Sequence, residues 1–194
     1  MQGREWKWII YDAIYKSIIN SGQVIAGRME GVWKGHVMYP DSIGYTYIYN
    51  KGLFESGVGY NKSGIAYPFT HDRELPNYRD GQITFFKVFT NHLKLPKNLN
   101  GKSASLEDVK ISFVIEKDGH LDQFKVLGDV TLELNNALIN AMIKCRDWTP
   151  GKYYGIPYRT KITLPLTFLQ GYTDNNLRGL YAGGIFFSEE ILGF

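Results

Sequence analysis

The sequence has a single cysteine, Cys145, among its 194 residues. An internal disulfide and a cluster of thiolate metal ligands are therefore excluded, and the redox compartment stays open. No apolar run approaches the roughly 20 residues that a membrane-spanning helix needs. The chain also lacks a basic start followed by an apolar run and a cleavage site, so we expect either a cytoplasmic protein or one whose export segment is missing from this chain.

Basic and acidic side chains are nearly balanced in number. The chain has 22 basic and 19 acidic side chains, a formal net charge of +3, and they are spread evenly along it. A nucleic-acid partner requires clustered Lys and Arg that release counterions from phosphates, so we expect none. Hydrophobic residues make up 44% of the sequence, which is enough to offset the entropy of ordering the backbone. The chain is expected to fold.

Motifs that would indicate catalysis or metal binding are absent as well. The four histidines, His36, His71, His92 and His120, are scattered. The polar segment 71–74 (HDRE) lacks a second His or Cys at the spacing of metal ligands. No nucleophile elbow, phosphate loop or dinucleotide fingerprint occurs. We therefore expect no enzyme activity, no cofactor and no metal site.

Glycine and tyrosine recur through residues 1–75, a composition that predicts antiparallel β-hairpins. In residues 45–49 three tyrosines alternate with smaller side chains, and Asn50-Lys51-Gly52 then supplies a turn. The segment 45–69, with its Tyr-x-Tyr and Gly-x-Gly spacing, resembles the hairpin repeats of the MORN type. This resemblance implies a small antiparallel β unit in residues 1–75.

Residues 6–20 fit two patterns. A helix would place Ile10, Ile14 and Ser17 on one stripe, whereas a strand would place Trp6, Trp8 and Ile10 on one face. We favour the helix.

The pattern changes after Pro76. Helical spacing of Ile83, Phe86, Phe89 (or Thr90) and Leu93 predicts an amphipathic helix that Pro96 ends. Alternation then predicts a strand over 109–115, a turn at 117–119 and a partner strand over 121–127 with a bulge near Phe124.

A second helix follows. Thr131 is its predicted N-cap, and its apolar stripe consists of Leu134, Leu138, Ala141, Met142 and Cys145. The helix ends before Trp148-Thr149-Pro150-Gly151, and a long strand is predicted over 158–168. The predicted fold class is α+β, with two helices on a small antiparallel sheet, preceded by the antiparallel hairpin region.

These elements carry a set of short motifs in a fixed order. The motifs are Pro76-x-Tyr78-x-x-Gly81, Leu95-Pro96, the hairpin 113–119 (FVIEKDG), Trp148-Thr149-Pro150-Gly151, Gly155-Ile156-Pro157 and 164–168 (LPLTF). Residues 76–168 thereby resemble the C-terminal domain of TonB proteins. The resulting division is a β-rich region over 1–75, a TonB-like domain over 76–168 and a C-terminal extension over 169–194.

The resemblance implies a periplasmic module that takes up an extended segment of an outer-membrane TonB-dependent transporter along the edge of its last strand. The corresponding edge is Tyr158, Arg159, Thr160, Lys161, Ile162 and Thr163, with a secondary contact at Leu95 and Pro96. In a second interpretation, the charges of this edge only protect it from aggregation.

Two features depart from the family pattern. An inner-membrane helix and a Pro-rich spacer, which complete TonB energy transducers carry, are missing from this sequence. The interaction module is therefore one hypothesis. The alternative is a structural or assembly protein that uses the same edge to form a homodimer without transducing energy.

Overall fold

The computed structural model describes residues 5–11, 18–37, 42–96, 109–170, 177–181 and 188–194. This part of the chain forms seventeen strands and two helices, and the strands form several mostly antiparallel sheets. The predicted α+β class is therefore wrong, because the chain is mainly antiparallel β structure. Segments that we expected to be helical, or had left unassigned at the C-terminal end, are strands.

The chain divides into two compact units. The first consists of residues 1–75, 152–157 and 193–194, and the second of residues 76–151 and 158–192. One division falls between Leu75 and Pro76. The short segment 152–157, which the sequence places inside the TonB-like region, belongs to the first unit.

A six-stranded antiparallel meander builds the first unit. Its strands, in spatial and chain order, are β1 Glu5–Tyr11, β2 Ile18–Ile25, β3 Arg28–Val37, β4 Ile43–Asn50, β5 Leu53–Tyr60 and β6 Ala66–Phe69. The favoured helix over residues 6–20 is wrong where the structure describes it, since residues 6–11 and 18–20 are strands; residues 12–17 lie outside the described residues. The alternative of a strand was correct for residues 6–11, which pair with β2 so that Trp8 lies opposite Gly22.

A small three-stranded sheet completes this unit. It consists of β7 Arg73–Glu74, β12 Lys152–Tyr153 and β13 Ile156–Pro157. Tyr154 and Ile156 from its hairpin join the apolar cluster on one face of the meander, together with Trp33, Tyr45 and Phe69.

Two glycines of β5 let bulky groups approach that face. A Cβ built on Gly57 would overlap the ring of Phe69, and one on Gly59 would overlap the carbonyl oxygen of Tyr154. Close approach, rather than a positive φ, is therefore what these two positions require.

The second unit contains a four-stranded sheet covered by two helices. The sheet order is β10 Leu121–Leu127, β9 Lys110–Ile115, β14 Arg159–Pro165 and β17 Ser188–Gly193. The helices are α1 Gly81–His92 and α2 Leu132–Met142. Both place buried side chains on a single core with Phe113 of β9 and Ile162 of β14.

Helix α1 turns a different face to the core than its apolar spacing predicted. Phe85 and Phe89 are buried, whereas Ile83 is 70% exposed. Phe86 and Leu93 pack at the margin of the core. The buried face is therefore rotated around the helix axis relative to the predicted one. Because Phe85 and Phe86 are adjacent, apolar spacing alone allows either of them to face the core, and Phe85 does so.

The predicted features of α2 and β10 are confirmed. The Thr131 hydroxyl accepts a hydrogen bond from the Leu134 amide at 3.3 Å, as an N-cap does. All five residues of the predicted α2 stripe are buried. The β9–β10 register shifts between Asp122 and Lys125, so the bulge is present, and Gln123 has a φ of 51° there.

Four further short strands complete the second unit. They are β8 Asn77–Tyr78, β11 Trp148–Thr149, β15 Thr167–Gln170 and β16 Leu177–Tyr181, which pair as β8 with β11 and β15 with β16. The single strand expected over 158–168 is thus interrupted at Leu166, between β14 and β15.

Trp148 lies in the centre of an aromatic group in the second unit. Its ring centroid is 5.4 Å from that of Tyr78, 5.2 Å from that of Phe85 and 5.4 Å from that of Phe113. The side chain is 5% exposed. It joins β8, α1 and β9 in one packed cluster.

Replacing Trp148 with alanine should lower the free energy of unfolding by about 3 to 5 kcal/mol, because the lost burial adds to the cost of the cavity. Urea unfolding followed by circular dichroism measures this. The control is Leu132→Ala, at a helix position that is 71% exposed, where a change within about 0.5 kcal/mol is expected. Equal losses in the two variants would contradict this role of Trp148.

Candidate functional site

Strand β14 carries most of the residues that the sequence predicts for peptide binding, and it lies inside the sheet. It is hydrogen-bonded to β9 on one side and to β17 on the other. The expectation that its outer backbone groups are free is therefore corrected. The physical reason is that residues 188–193, which we had assigned to a C-terminal extension, form a strand and satisfy those groups.

The side chains of this predicted edge divide by the alternation of the strand. Thr160 and Ile162 point to the buried side, and Tyr158, just before β14, is also fully buried. Arg159 and Lys161 are half-buried on the opposite side. Thr163 shares that side. Of the six predicted residues, only Arg159, Lys161 and Thr163 can therefore present side chains to an added segment.

Polar side chains tie this strand to both neighbours. The Arg159 guanidinium donates to Glu116 at 2.6 Å. The Lys161 ammonium donates to Glu190 of β17 at 3.1 Å, and the Tyr158 hydroxyl donates to Glu189 of β17 at 2.7 Å. Each exposed pair contributes at most about 1 kcal/mol. The Lys161–Glu190 pair is therefore weak, whereas the part-buried bond from Tyr158 to Glu189 is charge-assisted and is the stronger contact with β17.

The predicted secondary contact lies just after α1. Leu95 is half-buried and packs against the core of the second unit. Pro96 is also half-buried. Leu95 is therefore a packing residue.

The tyrosines of β4 lie on one face, as the alternation predicts, but the cluster that they form with Tyr154 and Asp72 was not predicted. The ring of Tyr154 stacks on that of Tyr45, with centroids 4.6 Å apart, and the Tyr47 hydroxyl donates to Asp72 at 3.0 Å. Burial raises the pKa of Tyr47 and of Tyr154, so both phenols stay neutral. The glycines at 57 and 59 were the sequence signal for this packing, because they have no side chain and so leave room for bulky groups on this face of β5.

The described residues contain no group of three or more His, Cys, Asp or Glu side chains that could hold a metal ion. Cys145 is fully buried, and its thiol donates to the Ala141 carbonyl at 3.5 Å. Burial raises the pKa of this thiol to about 12. It is therefore a protonated core residue at neutral pH.

No helix within the described ranges is long and apolar enough to cross a membrane. The two helices have 12 and 11 residues, against the roughly 20 that a bilayer requires.

Comparison of the chain with protein-family models, with curated proteins and with solved structures found no match. The resemblance to the TonB C-terminal domain and to MORN hairpins therefore remains an inference from the residues.

The thiol of Cys145 should resist alkylation by iodoacetamide at pH 8 while the protein is folded, because burial keeps it protonated and excludes the reagent. In 6 M guanidinium chloride it should react fully within the same time. Mass spectrometry of both samples measures the difference. Rapid modification of the folded protein would contradict the buried placement.

Proposed function

We propose that the protein is a periplasmic interaction module that binds an extended segment of an outer-membrane TonB-dependent transporter by strand addition to β14. The observation that carries the proposal is that β14 already pairs with β17, which lies more than 20 residues further along the chain. A strand side that accepts one extended segment has the backbone spacing to accept another. The TonB-like motifs of residues 76–168 supply the partner class.

In this mechanism the transporter segment exchanges with β17. Both strands make the same kind of backbone hydrogen bond, each contributing about 1 kcal/mol net, so the exchange is nearly balanced. The apparent affinity is reduced by the fraction of molecules in which β17 has left. Binding of the isolated partners is therefore weak, and tethering of both proteins in one complex raises it.

Side chains of the exposed face of β14 give the exchange its charge preference. Lys161 pairs with Glu190 while β17 is in place. A transporter segment with an acidic residue opposite Lys161 would form a new ion pair in place of the Lys161–Glu190 pair that is lost when β17 leaves. Arg159 is already engaged by Glu116 and adds less.

A second candidate function uses the same pairing in assembly. Strand β17 of one copy would pair with β14 of another, giving a strand-exchanged homodimer. The long chain separation between the two strands favours this candidate, because a distant strand can be exchanged without altering the rest of the sheet. Such a protein would build a structure and transduce no energy.

The exchange predicts opposite effects for two substitutions. Glu190→Lys places a cation beside Lys161, weakens β17 pairing and should tighten binding of transporter plug peptides about two- to fivefold, corresponding to about 0.4 to 1 kcal/mol. Lys161→Pro removes a backbone donor and should abolish binding, which supports the exchange only where circular dichroism shows that the variant, whose strand pairs on both sides, is still folded. Backbone amide NMR, with peptides from transporters of the same organism, follows both variants.

The matched control is Glu133→Lys, which makes the same charge change at an exposed position of α2. It should leave peptide binding unchanged. Absence of amide shifts in residues 158–163 at millimolar peptide in all variants would reject the proposal. A concentration-dependent dimer that Lys161→Pro converts to monomer would instead select the assembly function.

A further inference from the structure

We infer that the second unit has another peptide site, a groove between strand β10 and the end of α2, which binds the C-terminal residue of an extended peptide. The groove would hold a large apolar side chain and a free carboxylate. It lies on the strand at the opposite end of the sheet order from β17. It is independent of the exchange at β14.

The first observation is the open side of β10. Within the described ranges this strand pairs only with β9. An edge strand leaves half of its backbone groups available for another strand. Helix α2 packs against β10, and Ile143 and Arg146, which follow α2, line a pocket with residues of this strand. Strand addition beside a helix combines backbone affinity with a side-chain pocket.

The second observation is a pocket at the start of this strand. Its volume is about 320 Å³, at the small end of ligand pockets, and fits one large side chain. The lining consists of His120, Leu121, Phe124, Ile143 and Arg146. The bulge at Gln123 turns Phe124 to the same side of the sheet as Leu121, so the pocket is a product of the bulge.

The third observation is the charge at the mouth of the pocket. Arg146 is exposed, and its Nε donates to the Ile143 carbonyl at 3.1 Å. It makes no ion pair with any carboxylate that the structure describes. By contrast, Arg79 pairs with Asp147 and Arg159 pairs with Glu116. An uncompensated guanidinium beside an apolar floor complements a carboxylate attached to an apolar residue.

The carboxylates that flank the lining residues of β10 in the sequence already have partners. The His120 ring and backbone amide both bond to Asp118, and these bonds lower the pKa of that carboxyl. The Asp122 carboxylate accepts from the Gln123 amide. Neither acid pairs with Arg146, so this guanidinium of the pocket lining is the group that would receive an incoming anion.

The bulge also indicates that the occupant is a chain end. Residues 125–127 form regular pairs with β9, but pairing is interrupted between Asp122 and Lys125. A peptide added antiparallel along 125–127 therefore reaches irregular backbone at the pocket, where its ladder ends. Its last residue then lies over Phe124, with its carboxylate beside Arg146.

The competing explanation is that the bulge and charges only prevent edge-to-edge aggregation, a common role of such features. A protective edge would not distinguish a free carboxylate from an amide. That distinction is the basis of the test.

The test titrates the full chain with acetyl-Thr-Val-Thr-Val-Thr-Val-Phe as the free acid, observed by backbone amide NMR. Amides of residues 121–127 and 143–146 should shift. The same peptide ending in an amide should bind about 10-fold more weakly, because it loses the charge-assisted bond to Arg146. An amide-ended peptide with Glu before Phe should bind as weakly, because its carboxylate is displaced from the chain end.

Arg146→Gln should reduce affinity for the free acid about 10-fold, with a partial recovery in Arg146→Lys. Arg28→Gln removes the same charge from an exposed position of the first unit and should change nothing. Equal affinity for acid and amide, no effect of Arg146→Gln, or shifts confined to residues 158–163 would each overturn the inference. The last outcome would leave the proposed exchange at β14 intact.

Discussion

Strand β14 has backbone hydrogen-bonding groups on both sides, and the second unit is organised around satisfying all of them. Pairing with β9 sets the register that buries Ile162 opposite Phe113. Pairing with β17 uses the outer groups, which would otherwise template association with other chains. Because a buried strand needs a partner on each side, any function of this strand must proceed through exchange of one partner.

Local signals allowed much of this fold to be predicted. The cap at Thr131, the apolar stripe of α2 and the bulge of β10 each depend on residues that are close together in the sequence, so the sequence alone reveals them. Residues 6–20 were misassigned because apolar residues there satisfy both periods. Strand pairing decided the outcome, as the register of Trp8 with Gly22 shows.

Long-range partners account for what sequence reasoning missed at the candidate sites. The alternation of β14 already implied that Thr160 and Ile162 face a core, but nothing nearby indicated that residues 188–193 would cover the strand. The pocket at β10 escaped prediction for a similar reason. The bulge could be seen in the sequence, whereas its neighbour Arg146 lies in the segment that follows α2.

The hairpin 152–157 has a consequence for folding of the chain during its synthesis on the ribosome. All six strands of the meander emerge early, but Tyr154 and Ile156, which complete the apolar cluster of that unit, follow only after residues 76–151 have been synthesised. Until then the aromatic face lacks part of its cover. The nascent chain therefore carries an incomplete first core while residues 76–151 are synthesised, a period in which a chaperone that recognises aromatic surface would find it accessible.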